Sequence, residues 1–294
     1  MSRGVGVTAW LADVLEPVEP LLAVLTQTGD TWLLGAVVAL LFVLGGAAPL
    51  PGWDRRRGVA VLGAGLLAIA VTGLLKVAFG WPRPPGAEVA AYAFSGPLGD
   101  VYAWLATADH AGFPSGHAVG STAVFGTVAG LVDRRVRRRA LVVAGVLVAT
   151  ASLTRLGLGL HYLVDVVAGV AVGLLLASLA VRWVSRPGVV VGAAVPAAAA
   201  WAVITDGVPD AVGALGLCAG ALVAWTLFER RLLEAPAPSG RTVWLVGVGG
   251  LALAGVTVVA IEAGGTRVAG FGGFVGMALL VALPLSVGVG KERR

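Results

Sequence analysis

Three short stretches set cations, imidazoles and a carboxylate against apolar runs: Lys76-Val-Ala-Phe-Gly-Trp-Pro-Arg83, Pro114-Ser115-Gly116-His117 and Arg155-Leu-Gly-Leu-Gly-Leu-His161-Tyr-Leu-Val-Asp165. An ionisable group beside hydrocarbon costs free energy, so each of these needs a reason to be there. Their types suit a phosphate. Arginine forks match phosphate oxygens in pairs, and lysine adds a compact charge. Pro114-Ser115-Gly116 leads into a helix start, where exposed N–H groups and the helix dipole favour an anion. Gly116 there lets the backbone come close. His161 and Asp165 are four residues apart, so on a helix they share a face. Asp165 can accept the Nδ1 proton of His161 and leave Nε2 as a lone-pair nucleophile. His117 remains as a proton donor.

The elements that must position these residues are membrane helices. Of 294 residues, 58% are hydrophobic and 13% charged, whereas about a quarter charged is usual in a soluble globule. Apolar runs of roughly 18 to 22 residues recur, enough to cross a hydrocarbon layer of ~30 Å. Short alternating segments of the kind a barrel needs are not seen. The expected fold is all-α: a polytopic membrane helical bundle of about nine transmembrane helices. The spans are expected at roughly 31–50, 58–79, 115–132, 140–158, 163–183, 188–205, 211–228, 242–262 and 270–290. Residues 9–26 are expected as an interfacial amphipathic helix at the outer surface. Asp13, Glu16, Glu19 and two prolines break up any signal-peptide core there. Residues 1–186 read as a core of this helix plus five spans, and 187–294 as a four-span extension of unassigned role.

Charge orders the spans. The net charge is +5, and the basic clusters are Arg55–Arg57, Arg134–Arg139, Arg182 with Arg186, Arg230–Arg231 and Lys291–Arg294. All fall on one side of a nine-span trace, which assigns that side and the C-terminus to the cytoplasm and the three stretches to the outside of the cell membrane. The clusters are topology signals, so no nucleic-acid partner is expected. Trp32, Trp53, Trp81, Trp183, Trp225 and Trp244 fall near predicted span ends, as interfacial indoles do. Cys218 is the single cysteine, inside an apolar run, and is expected as inert packing.

The three stretches, as Lys76-x6-Arg83-Pro84, Pro114-Ser115-Gly116-His117 and Arg155-x5-His161-x3-Asp165, resemble the three signature motifs of the type 2 phosphatidic acid phosphatase superfamily. That superfamily includes membrane lipid phosphatases, glucose-6-phosphatase and vanadium haloperoxidases. The resemblance covers about residues 30–185. It departs at the third motif, which usually begins Ser-Arg and here is Thr154-Arg155; threonine keeps the hydroxyl. The resemblance implies that His161 attacks phosphorus to form a phosphohistidine. His117 would protonate the leaving oxygen and later activate water. Lys76, Arg83, Ser115, Gly116 and Arg155 would hold the phosphate. It implies no metal and no cofactor. The implied partners are a lipid phosphate substrate and the bilayer.

Taken singly, Lys76 reads as a snorkelling residue, Arg83 and Arg155 as headgroup anchors, His161 with Asp165 as a structural pair, and His117 as a helix cap. Order, spacing and sidedness together favour a site. His110 matches no motif position and is expected as a loop residue, with Asp100 and Asp109 as solvated loop charges. Tyr102, Trp104 and Leu105 are expected to touch lipid or simply anchor the loop. The leading expectation is a membrane phosphatase acting on a lipid phosphate or polyprenyl pyrophosphate at the outer face. One alternative is a lipid phosphotransferase, since the first half-reaction is shared. Another is a transporter or flippase with a vestigial site, against which the lack of mid-span charges argues. A vanadate-dependent oxidase is weaker, because deep membrane embedding suits a lipid better. The many Gly and Ala of the four last spans would either pack on the core or join copies of the chain.

Overall fold

A computed structural model describes residues 5–89, 96–108, 110–263 and 265–287. Among these the only regular elements are helices: α1 (Val5–Leu15), α2 (Glu19–Leu25), α3 (Thr31–Leu44), α4 (Arg55–Phe79), α5 (Pro97–Ala106), α6 (Gly116–Leu131), α7 (Arg134–Gly157), α8 (Leu163–Arg182), α9 (Pro187–Ile204), α10 (Pro209–Glu234), α11 (Arg241–Ala263) and α12 (Thr266–Ala282). A helix stands at each of the nine expected span positions. Among the described residues seven stretches are long and apolar enough to cross a bilayer, the first running Gly6–Ala47 through α1 to α3. The 16-residue α6 falls outside that set, and α11 counts as a shorter apolar helix over Arg241–Leu253. The bundle is therefore all-helical and membrane-type, with nine as an approximate span count.

The expected helix over 9–26 is two helices. Pro17 and Pro20 lack the N–H that a continuous ladder needs, and Glu16–Val18 tightens into a 3₁₀ turn between α1 and α2. Both pack on α7, where Gly157 makes room for Leu15 and Leu22. Trp10, Val14, Leu21 and Val24 are left exposed on the other side.

Helices α4, α7, α8 and α10 carry their arginine clusters at one end and a motif or cavity residue at the other. The arginine ends meet. Arg55 Nη1 donates to the carbonyls of Leu232 (3.0 Å) and Ala235 (3.3 Å), and Arg56 Nη1 to that of Ser185 (2.6 Å). The Asp133 N–H donates to the Pro51 carbonyl at 3.1 Å. Lys291–Arg294 and Asp109 lie outside the described residues.

Two tryptophans depart from the interfacial expectation. Trp53 and Trp225 are buried within the protein. The Trp53 indole donates to the Leu41 carbonyl at 3.1 Å, and Trp225 fills the space that Gly188 leaves open. Packing against protein outweighs the interfacial preference at these two places. Cys218 is buried and free.

The α6–α8 contact brings the second and third motifs together. A Cβ at Gly169 would stand 2.8 Å from both Ala118 Cβ and the Ser115 carbonyl oxygen, and one at Gly173 would stand 2.5 Å from Thr122 Cβ. Small residues let two helix backbones approach this closely. Gly173→Val is accordingly expected to force α6 off α8, at a cost of about 1–3 kcal/mol. Thermal unfolding in detergent should show the loss, and activity should fall further than stability because His117 moves relative to His161.

Helices α9 to α12 pack on the core. α9 lies along α4, with Trp201 seated on Gly73 and Val190 on Gly63. α11 lies against α3. The glycines of α10 and α12 face each other within the chain: a Cβ at Gly216 or Gly220 would run into the backbone at Gly270 or Phe274.

Candidate active site

Helix α4 ends at Gly80, whose left-handed backbone (φ 58°) lets its N–H cap the Lys76 carbonyl at 2.9 Å. The chain then turns back and delivers Arg83, which backbone carbonyls fix in place. Its Nε donates to the His110 carbonyl (2.6 Å) and its Nη1 to the Leu160 carbonyl (2.9 Å). The same Nη1 lies 2.9 Å from His161 Nε2. A guanidinium can only donate, so Nε2 is the acceptor and the ring proton belongs on Nδ1. Nδ1 faces Asp165 Oδ2 at 3.5 Å, a charge–dipole contact longer than a hydrogen bond.

His161 and Asp165 are 1% and 0% exposed. The Asp165 carboxylate is held by the first turn of α8, where Oδ2 accepts from the Tyr162 N–H at 2.9 Å. Its backbone carbonyl accepts from the Ser115 N–H at 3.0 Å, which ties the second motif to the third. From below, the Thr8 hydroxyl donates to the His161 carbonyl at 3.2 Å. His161 lies in the loop between α7 and α8. Burial there, and then the positive charges of Arg83, Arg155 and Lys76, hold its pKa well below the ordinary imidazole value. The ring stays neutral at neutral pH, which a nucleophile requires.

Lys76, Arg83, Gly116, His117, Arg155 and His161 line one cavity of about 440 Å³. A second cavity of about 480 Å³ shares Arg83, His110, His117 and Arg155 and adds Asp30, Glu88 and Thr107. The second is polar and lies under α5, which Tyr102 ties to α2 by donating to Glu19 at 2.6 Å. Six of the eight expected site residues thus meet at one hollow. Ser115 and Asp165 lie behind it. The Ser115 hydroxyl is buried, has no hydrogen-bond partner among the described residues, and does not line either cavity. Thr154, where Ser is usual, turns its hydroxyl back onto α7 and donates to the Thr150 carbonyl at 2.8 Å. His110, expected as a plain loop residue, lines both cavities and orients Arg83 through its carbonyl.

Asp30 was not expected at the site. Its Oδ1 accepts from the Trp32 N–H at 3.3 Å as the N-cap of α3, and its Oδ2 stands 3.6 Å from His117 Nε2. An aspartate before an apolar run has a sufficient local role as a cap, so sequence offered no second reason for it. Asp30→Asn keeps the cap acceptor and removes the charge beside His117. It is expected to lower kcat about tenfold or more with little change in KM, read from initial rates on a phosphomonoester. Among the described residues no three His, Cys, Asp or Glu side chains gather as a metal ion would need. Three cations around a hollow beside two imidazoles suit a multiply charged oxyanion.

The family model described as the PAP2 superfamily matches residues 57–188. No curated protein and no solved structure matches the chain. The matched segment begins in the first turn of α4, ends in the first turn of α9, and contains all three motifs. The match supports PAP2 superfamily membership for residues 57–188 and, with it, a phosphatase-type activity carried on a bundle of apolar membrane helices.

Proposed function

We propose that this protein hydrolyses the phosphate or pyrophosphate of a membrane lipid through a phosphohistidine intermediate. One observation carries the reading. The cationic, imidazole-bearing residues sit where a polar cavity meets an apolar one, and a lipid phosphate is polar at one end and apolar at the other. When a phosphate enters, the Arg83 N–H now directed at His161 Nε2 turns to a phosphoryl oxygen, and the freed lone pair meets phosphorus. The Nε2–P bond forms as the bond from phosphorus to the leaving oxygen breaks. His117 gives its proton to that oxygen, and the lipid alcohol or lipid monophosphate departs. His117 then takes a proton from water, the hydroxide attacks phosphorus, and the Nε2–P bond breaks to release inorganic phosphate. Lys76, Arg83, Arg155 and the N-terminus of α6 stabilise the charge on the transferring group.

The site is assigned to the outer face. Support comes from the arginine-bearing ends of α4, α7, α8 and α10, which lie opposite the site and take the cytoplasmic side by the positive-inside tendency. The test is purified protein in detergent with EDTA, offered phosphatidate, phosphatidylglycerol phosphate and a polyprenyl pyrophosphate. Phosphate release from at least one is expected. Release from none, where a related lipid phosphatase works in the same detergent, would refute the proposal.

A further inference from the structure

Helices α10 and α12 lie beyond the family match, α9 lies almost wholly beyond it, and the chemistry above uses none of them. They nonetheless form one wall of the cavity that contains the site. On α4 the cavity is lined by Leu62, Leu66, Ile69, Gly73 and Lys76, whose spacing of three or four puts them on a single helix face. From Lys76 to Leu62 that face is about 21 Å long at ~1.5 Å per residue. Across it stand Trp201 of α9, Leu217 of α10, and Met277 and Leu280 of α12, with α3 and α6 closing the sides. Every charged lining residue is at the site end: Lys76 near the end of α4, Asp210 at the start of α10, and Arg83 and Arg155. Below them the lining is apolar apart from the hydroxyls of Thr31 and Thr72.

We infer that α9, α10 and α12 bind the long hydrocarbon chain of the substrate, so that the C-terminal helices measure the chain while residues 57–188 carry the chemistry. The inference rests on the proposed phosphatase reading of the site, because it takes the charged end of the cavity as the headgroup position. The reach of about 21 Å exceeds the half-thickness of a ~30 Å hydrocarbon layer. The cavity therefore suits a chain longer than one leaflet needs. Moving such a chain from bilayer to cavity exchanges hydrocarbon for hydrocarbon, so the wall supplies selection and placement rather than net hydrophobic gain. Trp201 is central to it. It lies on Gly73, where a Cβ would stand 2.4 Å from the ring, so α4 and α9 are matched to hold the indole at that place.

The test compares kcat/KM for butyl and dodecyl phosphate, each referred to its concentration free in water, using the full chain in detergent. In the parent protein the dodecyl ester is expected to be favoured by at least about tenfold, since each buried methylene is worth up to roughly fourfold. Leu280→Trp and Met277→Trp fill the far end and are expected to cut that dodecyl-to-butyl ratio about tenfold. Phe271→Ala, on the exposed side of α12, should leave the ratio as it is. Equal losses on both esters, or no loss on either, would overturn the inference. If the tryptophan variants do not fold, Leu280→Ala enlarges the same space and should raise the ratio for a bulkier farnesyl phosphate over dodecyl phosphate. A ratio that does not move would count against the inference. Cross-linking reads the wall without turnover. A dodecyl phosphate with a terminal diazirine should label Leu217, Met277 or Leu280. Label confined to the exposed Val268–Phe271 side would overturn the inference even if hydrolysis is observed. Label on the wall without hydrolysis of any ester would sustain it and remove the phosphatase reading instead.

Discussion

His161→Ala is expected to remove turnover by at least about 10⁴-fold, the scale seen when a covalent catalyst loses its nucleophile. His117 faces Asp30 from α6, and the His110 carbonyl accepts from Arg83 Nε, whereas His161 Nε2 accepts from Arg83 Nη1 at the cavity. Rapid alkaline quench of the parent protein with labelled substrate should trap phosphate on His161, as an adduct that survives base and is lost in acid. Substantial activity in His161→Ala, or label on another residue, would remove the covalent step. The pH dependence follows from the same residue. Its pKa is lowered, first by burial and then by Arg83. A lowered pKa means that the neutral ring persists as pH falls below the ordinary value of about 6.5. The acid limb of kcat/KM, corrected for the second ionisation of the substrate, should therefore lie below that value. Arg83→Ala removes one named cause, so the limb should move up toward it. A limb that stays in place would show that Arg83 does not set the charge state of His161.

Arg83→Lys should cost about 10²–10³-fold in kcat, as loss of a positioned donor to a developing oxyanion does. The charge is retained, so the loss tests geometry. Arg83 makes three contacts from a planar fork: to the His110 carbonyl, to the Leu160 carbonyl, and to His161 Nε2. These join the loop after α4, the segment before α6 and the loop after α7. A lysine ammonium at the same place is a point charge on a flexible stem and cannot hold three partners in one plane. KM should change less than kcat, because the same residue both binds phosphate and leaves Nε2 as phosphorus approaches. If Arg83→Lys retained most of the activity, Arg83 would be an anchor for the charged headgroup and nothing more.

Much of this was open to reading along the chain. Apolar runs at the expected nine positions became helices, since length and hydropathy settle where a helix can lie in hydrocarbon. The break at Pro17 and Pro20 was also written locally, although the single helix expected over 9–26 passed over it. The order Lys76, Arg83, His117, Arg155, His161, Asp165 was enough to suggest a phosphate site, and the structure brings five of these six to one cavity. Ser115 shows the limit. Its place before His117 looked like a phosphate contact, yet its hydroxyl lies behind the cavity while its N–H bonds to Asp165.

The order of residues along the chain supplies an inventory: helices of bilayer length, arginines at one set of ends, and imidazoles with further cations at the other. Packing between distant helices sets Asp30 3.6 Å from His117, makes Trp225 core rather than belt, and has α9, α10 and α12 close a cavity running from His161 and Lys76 down to Leu62. The reason is physical. A period of 3.6 says which residues share one face of a helix. Which other helix covers that face depends on the fit of small residues such as Gly73, Gly169 and Gly216 against partners far along the chain, and no local pattern carries that information.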